Sequence, residues 1–259
     1  MRARAIFGVF EIAASAFPPV GHTYEVNFGD DLVFHLRFDS QTLMQFTGVA
    51  GHNKGVSEGE RITSTLLGTG VYLLSWQDGG GNTFVHIADF DQEAASLNLT
   101  LPDNLEETNT KLICLQGTLK QIDAAEPNFV QSTKTEIQFP GVGQMYEVTP
   151  TKTEIEFPGV GHVYEVTMGS DVFHVRFDSE TSLTATGVSG PNRGFKERET
   201  ITLTPVRPGL FMMSWQEASG TTAVFLEDFE NQITYSHVTI PDDDGTIFLR
   251  FEGVLKQLD

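Results

Sequence analysis

Most of this 259-residue chain is written twice. The segment FPPVGHTYEVNFGDDLVFHLRFDS at 17–40 returns as FPGVGHVYEVTMGSDVFHVRFDS at 157–179, and both copies end on a GxLKQxD sequence, at Asp123 and Asp259. An offset of 140 residues, from 17 to 157, is far longer than the repeat of a solenoid. The sequence therefore predicts two tandem copies of one domain, lobe one at 17–123 and lobe two at 151–259.

Apolar and polar residues alternate along nearly every segment of both copies, and no helical stripe is present. Turn sequences such as Met168-Gly169-Ser170-Asp171 separate the alternating runs. Short sequential strands without crossover helices predict an all-β fold of two up-and-down antiparallel barrels, with a two-sheet sandwich as the alternative. A barrel is favoured because eight strands enclose an interior that side chains fill or that holds one small ligand. In lobe two the predicted strands are 162–168, 172–178, 182–187, 199–205, 209–216, 221–229, 232–240 and 246–257.

Residues 124–150, between the lobes, contain part of a second, shorter repeat. TKTEIQFPGVGQMYEVTP at 133–150 is followed at once by TKTEIEFPGVGHVYEVTM at 151–168. Both copies alternate and therefore predict strands, although only one can be the first strand of lobe two. We expect 133–150 to pair at a sheet edge, because an open apolar strand promotes aggregation. An ordered linker is the alternative.

Charge and cysteine content limit the function. The formal net charge of −19 disfavours nucleic acid and anionic membrane surfaces as partners. The single cysteine, Cys114, excludes an intrachain disulfide and a thiolate-rich zinc site. A reducing, cytoplasmic compartment is therefore expected. Secretion is the alternative, because Arg2, Arg4 and Ala14-Ser15-Ala16 resemble a signal peptide, but Glu11 interrupts its apolar stretch.

The second strand of each lobe reads Phe-His-x-Arg-Phe-Asp, at 34–39 and 173–178. Alternation places the His, Arg and Asp side chains on one face and the aromatic side chains on the other. In lobe two, His174 and Arg176 could supply a base and an anion clamp. The alternative is that the Phe face is core and the polar face meets solvent or the other lobe.

Aromatic residues on other strands predict a small-molecule pocket with apolar walls and few polar groups. Ordinary core packing is the alternative for these residues. The predicted ligand-binding residues are Tyr24 and Trp76 in lobe one, and Tyr164, Phe211, Met213 and Trp215 in lobe two.

Differences between the copies favour lobe two as the site. Glu227 stands opposite Ala88 and His237 opposite Asn98, so lobe two gathers Glu227, Asp228, Tyr235 and His237 on neighbouring strands. We predict an apolar pocket in lobe two with Tyr164 and Trp215 in its wall. Its catalytic groups would be His174 and Arg176, or failing them Asp228 and His237.

The order G-H-x-Y-x-V, a late SWQ strand, a DF step and a terminal G-x-L strand resembles the MoaF-like domain, a small calycin-type barrel. Ser75-Trp76-Gln77 and Ser214-Trp215-Gln216 carry the likeness, with Asp89-Phe90 and Asp228-Phe229. The resemblance covers both lobes and implies barrels that work in pairs, here fused into a pseudo-dimer about a pseudo-two-fold axis. It supplies no catalytic residues.

Two function classes fit the sequence. One is a cofactor-independent cyclase, isomerase or lyase acting on a hydrophobic metabolite, with neither a metal nor an organic cofactor expected. The other is a non-catalytic barrel that binds a small apolar ligand. The enzyme is preferred slightly, because His, Arg and Asp recur in both copies. As to assembly, the chain is expected to be a monomeric pseudo-dimer or a homodimer.

Overall fold

Two nine-stranded antiparallel sheets make up the fold. The computed structural model describes residues 17–29, 31–102, 110–122, 155–242 and 245–259, and the duplicated segment 133–150 lies outside these residues. The strands of lobe one are β1 Thr23–Asn27, β2 Val33–Ser40, β3 Leu43–Gly48, β4 Ser57–Arg61, β5 Thr63–Gly68, β6 Val71–Gln77, β7 Thr83–Asp89, β8 Ala94–Pro102 and β9 Thr110–Gln121. Those of lobe two are β10 Val163–Met168, β11 Asp171–Ser179, β12 Ser182–Ser189, β13 Lys196–Thr200, β14 Thr202–Arg207, β15 Leu210–Gln216, β16 Thr222–Asp228, β17 Ile233–Asp242 and β18 Gly245–Gln257.

Each sheet is a meander that nearly closes on itself. In lobe one the strand order is β4-β3-β2-β1-β9-β8-β7-β6-β5, and lobe two repeats it as β13-β12-β11-β10-β18-β17-β16-β15-β14. The first and last strands pair, so the remaining gap lies between two consecutive strands, β4 and β5 or β13 and β14. The all-β prediction of two tandem antiparallel barrels is confirmed, and the only helix among the described residues is the 3₁₀ turn Gly51–Asn53.

The number of strands per lobe differs from the prediction. The run 199–205, predicted as one strand, is divided between β13 and β14 at Ile201, and Ile62 marks the same corner in lobe one. Both isoleucine side chains are buried, and both backbone amides bond to the preceding hairpin, at Thr181 and Thr42. Polar residues flank each isoleucine, Thr200 and Thr202 in lobe two, so the alternating pattern continues through the corner and does not reveal the bend.

The repeated glycine near the end of each copy allows the sheet to close. A Cβ on Gly117 would lie 2.1 Å from the Asn27 carbonyl oxygen, and one on Gly253 would lie 2.3 Å from that of Thr167. No other residue fits so close to backbone, which explains the G-x-L pattern of both terminal strands.

The lobes pack together through the outer faces of β6–β7 and β15–β16. Equivalent residues of the two lobes differ by 139 in number along β2–β8, as Trp76 and Trp215 do. By this numbering the apolar contact between the lobes is symmetric, because each lobe-one residue in it has its lobe-two equivalent in it as well. The set comprises Val71, Leu73, Val85, Ile87, Leu210, Met212, Val224 and Leu226.

Hydrogen bonds across this interface occur in mirrored pairs. The Thr83 and Thr239 hydroxyls are 2.7 Å apart, and the equivalent Thr222 and Thr100 hydroxyls are 2.8 Å apart. The contact of Thr246 with the Gly81 carbonyl is likewise mirrored by that of Thr110 with Gly220. Reciprocal contacts of this kind define an isologous interface, so the chain is a pseudo-dimer with a pseudo-two-fold axis.

Candidate functional site

The interiors of the two barrels differ in how well they are filled. In lobe one the inward-facing Phe34, Leu36, Phe46 and Trp76 are buried. Their equivalents in lobe two, which also face the core, are each partly exposed: Phe173, Val175, Ala185 and Trp215. Their partial exposure shows that solvent reaches the space around these side chains. We call this space in lobe two the lumen.

Side-chain size explains the difference. At four inward-facing positions lobe two carries a smaller residue than lobe one, which removes packing volume. On β18 the inward-facing Phe251 is 44% exposed, whereas its equivalent Leu115 on β9 is buried at 5%. The smaller residues and their lobe-one equivalents are Val175 for Leu36, Ala185 for Phe46, Ala223 for Phe84 and Ser236 for Leu97.

A buried carboxyl group lies at the inner side of the lumen. Glu227 is on β16 in the inward register, paired with Phe211 and Thr234 on the neighbouring strands, and its side chain is 2% exposed. Burial raises the pKa of Glu227 from 4.5 to about 8, against a smaller opposing effect of the Thr234 hydroxyl. The carboxyl group is therefore protonated at neutral pH.

Polar atoms around Glu227 lack partners. Glu227 Oε2 and the hydroxyl of the adjacent Thr234 are both buried, and neither forms a hydrogen bond of good geometry, although the hydroxyl is near enough to act on the pKa of the carboxyl group. The next inward residue of β17, Ser236, donates to the thioether of Met168 at 3.1 Å, a weak acceptor. Buried polar groups without partners are costly, and they are common where a ligand or water completes the bonding. In lobe one, Ala88, Ala95 and Leu97 occupy the three equivalent positions.

Three carboxylates cluster at the Trp215 end of the barrel. Glu197 and Glu199 lie opposite Ala185 and Leu183 of the core, and Glu217 follows Trp215 by two residues. Burial and the neighbouring Glu197 raise the pKa of Glu199 to about 7. Lobe one has the same arrangement at Glu58, Glu60 and Asp78, and the pKa of Glu60 rises to about 7 through burial and Asp78. This feature is common to both lobes and does not distinguish them.

The predicted ligand-binding residues occupy both ends of the barrel. Tyr164 and Phe211 belong to an aromatic cluster that closes one end, with Phe157, Phe177 and Phe229. Met213 is buried in the core between the two ends. Trp215 stacks on Phe225 at the other end, with 5.0 Å between the ring centroids. In lobe one, Tyr24 and Trp76 hold the equivalent places and are buried.

Two of the predicted catalytic residues lie outside the lumen. Asp228 caps the turn after β16, where its carboxylate accepts bonds from the backbone and side-chain amides of Asn231, both at 2.8 Å. His237 lies on the face of β17 that meets lobe one, tilted against Phe248 with its Nδ1 unpartnered. Burial, with the nearby Arg250 charge, lowers the pKa of His237 to about 3, so the ring is neutral.

The other two lie on the outer surface of the barrel. His174 and Arg176 alternate with Phe173 and Val175, which pack inward, so the pair is separated from Tyr164 and Trp215 by the thickness of the sheet. His174 Nε2 is 3.6 Å from Glu165 Oε2, and Arg176 Nε is 2.7 Å from Asp178 Oδ1. The structure therefore does not bring the four predicted catalytic residues into the pocket expected for them.

Thr234 and Ser236 were not predicted, and Glu227 was noticed only as an acid that lacks a counterpart. The missed signal is register. Glu227 follows Ala223 and Phe225 by even steps, which places it on their face, and Thr234 pairs with it.

Among the described residues there is no group of three or more His, Cys, Asp or Glu side chains arranged to hold a metal ion.

In the part of the chain that the structure describes, no helix has the length and apolar character needed to cross a membrane. The sequence model of the MoaF-like family matches residues 20–120 and 160–256. No curated protein matches the chain.

Two solved structures show weak similarity. A protein of Burkholderia vietnamiensis, described as a candidate beta-lactamase, is 24% identical with a TM-score of 0.36, over 39% of this chain and 96% of that one. A protein of unknown function from the DUF3598 family of Nostoc punctiforme is 11% identical with a TM-score of 0.34, over 92% of this chain and 94% of that one. Similarities of this strength support no statement about activity.

Proposed function

The chain belongs to the MoaF-like family, and from that premise we propose that lobe two binds one small hydrophobic molecule in its lumen. The observation that carries the proposal is the partial exposure of inward-facing apolar residues in lobe two, at positions where lobe one is filled. Apolar surface left open inside a barrel gains about 25 cal/mol for each Å² that a ligand covers. The equivalent apolar residues of lobe one are buried, and we assign this lobe the role of structural partner.

The polar groups of the lumen limit the ligand further. At neutral pH the Glu227 carboxyl is protonated and can donate one hydrogen bond while it accepts others. An oxygen atom of a neutral ligand could bond to Glu227 and to the unpartnered Thr234 hydroxyl together. The expected ligand is therefore an apolar molecule with one carbonyl or hydroxyl group at its inner end. An anionic end group would be rejected here, because no cation faces Glu227 from the paired residues Phe211 and Thr234.

A second candidate function is catalysis, favoured by the pKa of Glu227. A carboxyl group with a pKa of about 8 can give up and regain a proton near neutral pH, which general acid–base catalysis requires. Held against a carbonyl or a double bond, such an acid could drive an isomerisation, cyclisation or elimination without a cofactor. This is the enzyme class expected from the sequence, now with Glu227 in place of His174 and His237.

Binding can be tested with Nile red, a neutral, apolar fluorescent dye that carries a carbonyl group. We expect saturable fluorescence enhancement with the wild type. Ala185→Phe places the lobe-one side chain in the lumen and should weaken binding at least about tenfold, or 1.4 kcal/mol. Ala218→Phe makes the same change at an exposed loop position and is the matched control. Equal affinity in Ala185→Phe and Ala218→Phe would reject the lumen as the binding site.

Glu227→Gln separates the two candidate functions, because it keeps the hydrogen bonds and removes the exchangeable acid. A binding protein should retain its affinity for the ligand in this variant. An enzyme should retain its affinity for the ligand, and its turnover number should fall about 100-fold or more.

For the whole chain we propose a monomeric pseudo-dimer in the cytoplasm, with a homodimer as the alternative that sedimentation analysis would detect.

A further inference from the structure

The outer surface of lobe two carries a second feature, which is independent of the lumen. On β11, β12 and β13 the outward side chains stand in two rows set by strand register, with a threonine at the centre of each row and cationic or His side chains at its ends. These rows line a groove of about 480 Å³, which we call the outer groove. The first row is His174, Thr186 and Lys196, and the second is Arg176, Thr184 and Arg198.

One carboxylate fixes both arginines. Asp178 Oδ1 is 2.7 Å from Arg176 Nε, and its Oδ2 is 3.6 Å from Arg198 Nε and accepts the Thr184 hydroxyl at 2.8 Å. Both contacts use Nε, at the base of the guanidinium group. The outer nitrogen atoms of the two arginines are therefore oriented but still available to a ligand.

The third cation, Lys196, and the second hydroxyl, that of Thr186, are available to a ligand. Lys196 makes no ion pair, and the Thr186 hydroxyl makes no hydrogen bond, within the described ranges. His174 is held 3.6 Å from Glu165, and Glu197 also lines the outer groove. Three permanent cations thus lie around the groove, together with the carboxylates of Asp178, Glu197 and the Glu165 that contacts His174.

Lobe one has the equivalent contact between Asp39 and Arg37 but lacks two of the cations. Asp39 is 3.5 Å from Arg37 and accepts a bond from Gln45, but Gly59 stands where Arg198 is in lobe two. Ser57 replaces Lys196, and its hydroxyl bonds to that of Thr47 at 3.1 Å, so the hydroxyl equivalent to Thr186 is already used. The added cations and the freed hydroxyl occur together, and only in lobe two.

We propose that the outer groove binds a phosphate group carried by a small molecule. Two arginines, a lysine and a hydroxyl are the donors that tetrahedral oxyanions prefer in proteins. The rest of the surface opposes such binding, because the chain carries a formal charge of −19. Within the described residues, these three cations on neighbouring strands form a place where an anion can be held.

Isothermal titration with inorganic phosphate and with pyrophosphate at low ionic strength tests the proposal. We expect both to bind, pyrophosphate more tightly, and we expect Lys196→Ser with Arg198→Gly to weaken both at least about tenfold. These two changes install the residues of lobe one. The control is Lys54→Ser with Lys120→Ser, which removes two exposed cations of lobe one and should leave affinity within about twofold.

Two outcomes would overturn the proposal: no binding of pyrophosphate below about 10 mM, or an equal loss in the control variant, which would mean that general charge decides. Vesicles containing phosphatidic acid distinguish a lipid headgroup from a soluble phosphate. We expect no vesicle binding, and binding to vesicles without binding of pyrophosphate would also reject the proposal. Ala185→Phe should leave pyrophosphate affinity unchanged, so a failure of the lumen proposal and a failure of this one can be told apart.

Discussion

Lobe one and lobe two share one topology and use it differently. Lobe one fills its barrel with large side chains such as Phe46 and Phe84, and the equivalent residues of lobe two are Ala185 and Ala223. Lobe two also carries Glu227 in the inward register, where lobe one has Ala88. After a duplication, one copy can supply the stability that the other loses by keeping an open interior. If lobe two binds a ligand as we propose, function and stability are divided between the lobes.

The largest expected effect tests the interior packing directly. Phe46→Ala gives lobe one the residue of lobe two and should lower the free energy of unfolding by about 3–5 kcal/mol, because it leaves a cavity in a filled core. Ala185→Phe makes the reverse change in lobe two and should cost less than about 1.5 kcal/mol, because the lumen has room for the ring. Urea denaturation followed by circular dichroism measures both. A large loss in Ala185→Phe would mean that lobe two is as tightly packed as lobe one.

The second effect concerns an ion pair between the lobes that exists on only one side of the pseudo-two-fold axis. Arg207 of lobe two forms a bidentate pair with the buried Asp89 of lobe one, at 2.8 and 2.9 Å. At the mirrored place Asp228 meets Asn231 instead, since Gly68 is the equivalent of Arg207. Arg207→Ala should cost about 3 kcal/mol by leaving a buried carboxylate without its cation.

Asn231→Ala is the matched change and should cost only about 1 kcal/mol, because one neutral partner is lost. Thermal and urea unfolding of both variants give the comparison. Equal losses would show that the ion pair between the lobes contributes no more than an ordinary turn cap.

The fold was predictable from the sequence and the site was only partly so, for physical reasons. Alternation and the repeat predict strands, barrels and pairing, because register depends on a simple period of two. The same period places His174 and Arg176 on the face opposite the Phe side chains, so register alone predicts that they lie outside the lumen. His237 could not be assigned, since the face of β17 on which it lies meets the other lobe, and only tertiary structure shows that contact.

The DF step illustrates the same limit. Asp89 and Asp228 are repeated because each carboxylate caps the turn after its strand, and Phe90 and Phe229 are repeated because each ring joins the aromatic cluster at the closed end. A repeated acid can be mistaken for catalytic machinery when its role is to fix a turn. Glu227 carries the opposite lesson, because the acid that differs between the copies is the one in the inward register of the barrel.

The third effect is a pH dependence that only lobe two should show at this position. The folded-state pKa of Glu227, about 8, lies above its usual 4.5, so the folded protein keeps a proton that the unfolded chain has lost. Stability from this group is complete below about pH 4.5, falls as pH rises and levels off above about pH 8, with a slope of at most about 1.4 kcal/mol per pH unit.

Glu227→Gln should remove this slope. The pKa values of Glu60 and Glu199 are also raised, to about 7, but both residues remain in the variant. The difference in unfolding free energy between wild type and Glu227→Gln therefore isolates the contribution of Glu227 to the pH dependence. Urea midpoints measured from pH 5 to pH 9 provide it, and parallel curves for the two proteins would mean that Glu227 is ionised in the fold.

The smallest expected effect concerns the interface hydrogen bonds, in which the two lobes remain alike. The pair Thr83–Thr239 and the pair Thr222–Thr100 are mirrored across the pseudo-two-fold axis, with oxygen separations of 2.7 and 2.8 Å. Thr83→Val and Thr222→Val each leave one buried hydroxyl without a partner and should each cost about 1 kcal/mol. If the interface is isologous in energy as well as in geometry, the two losses agree within about 0.5 kcal/mol.

Changing both members of one pair sharpens this test. In Thr83→Val with Thr239→Val no hydroxyl is left unpartnered, so the double variant should lose less than the sum of its single changes. Loss of the mirrored equality would show that specialisation of lobe two extends to the interface. Retention of it would show that divergence at the interface is confined to other positions, such as the one-sided pair Arg207–Asp89.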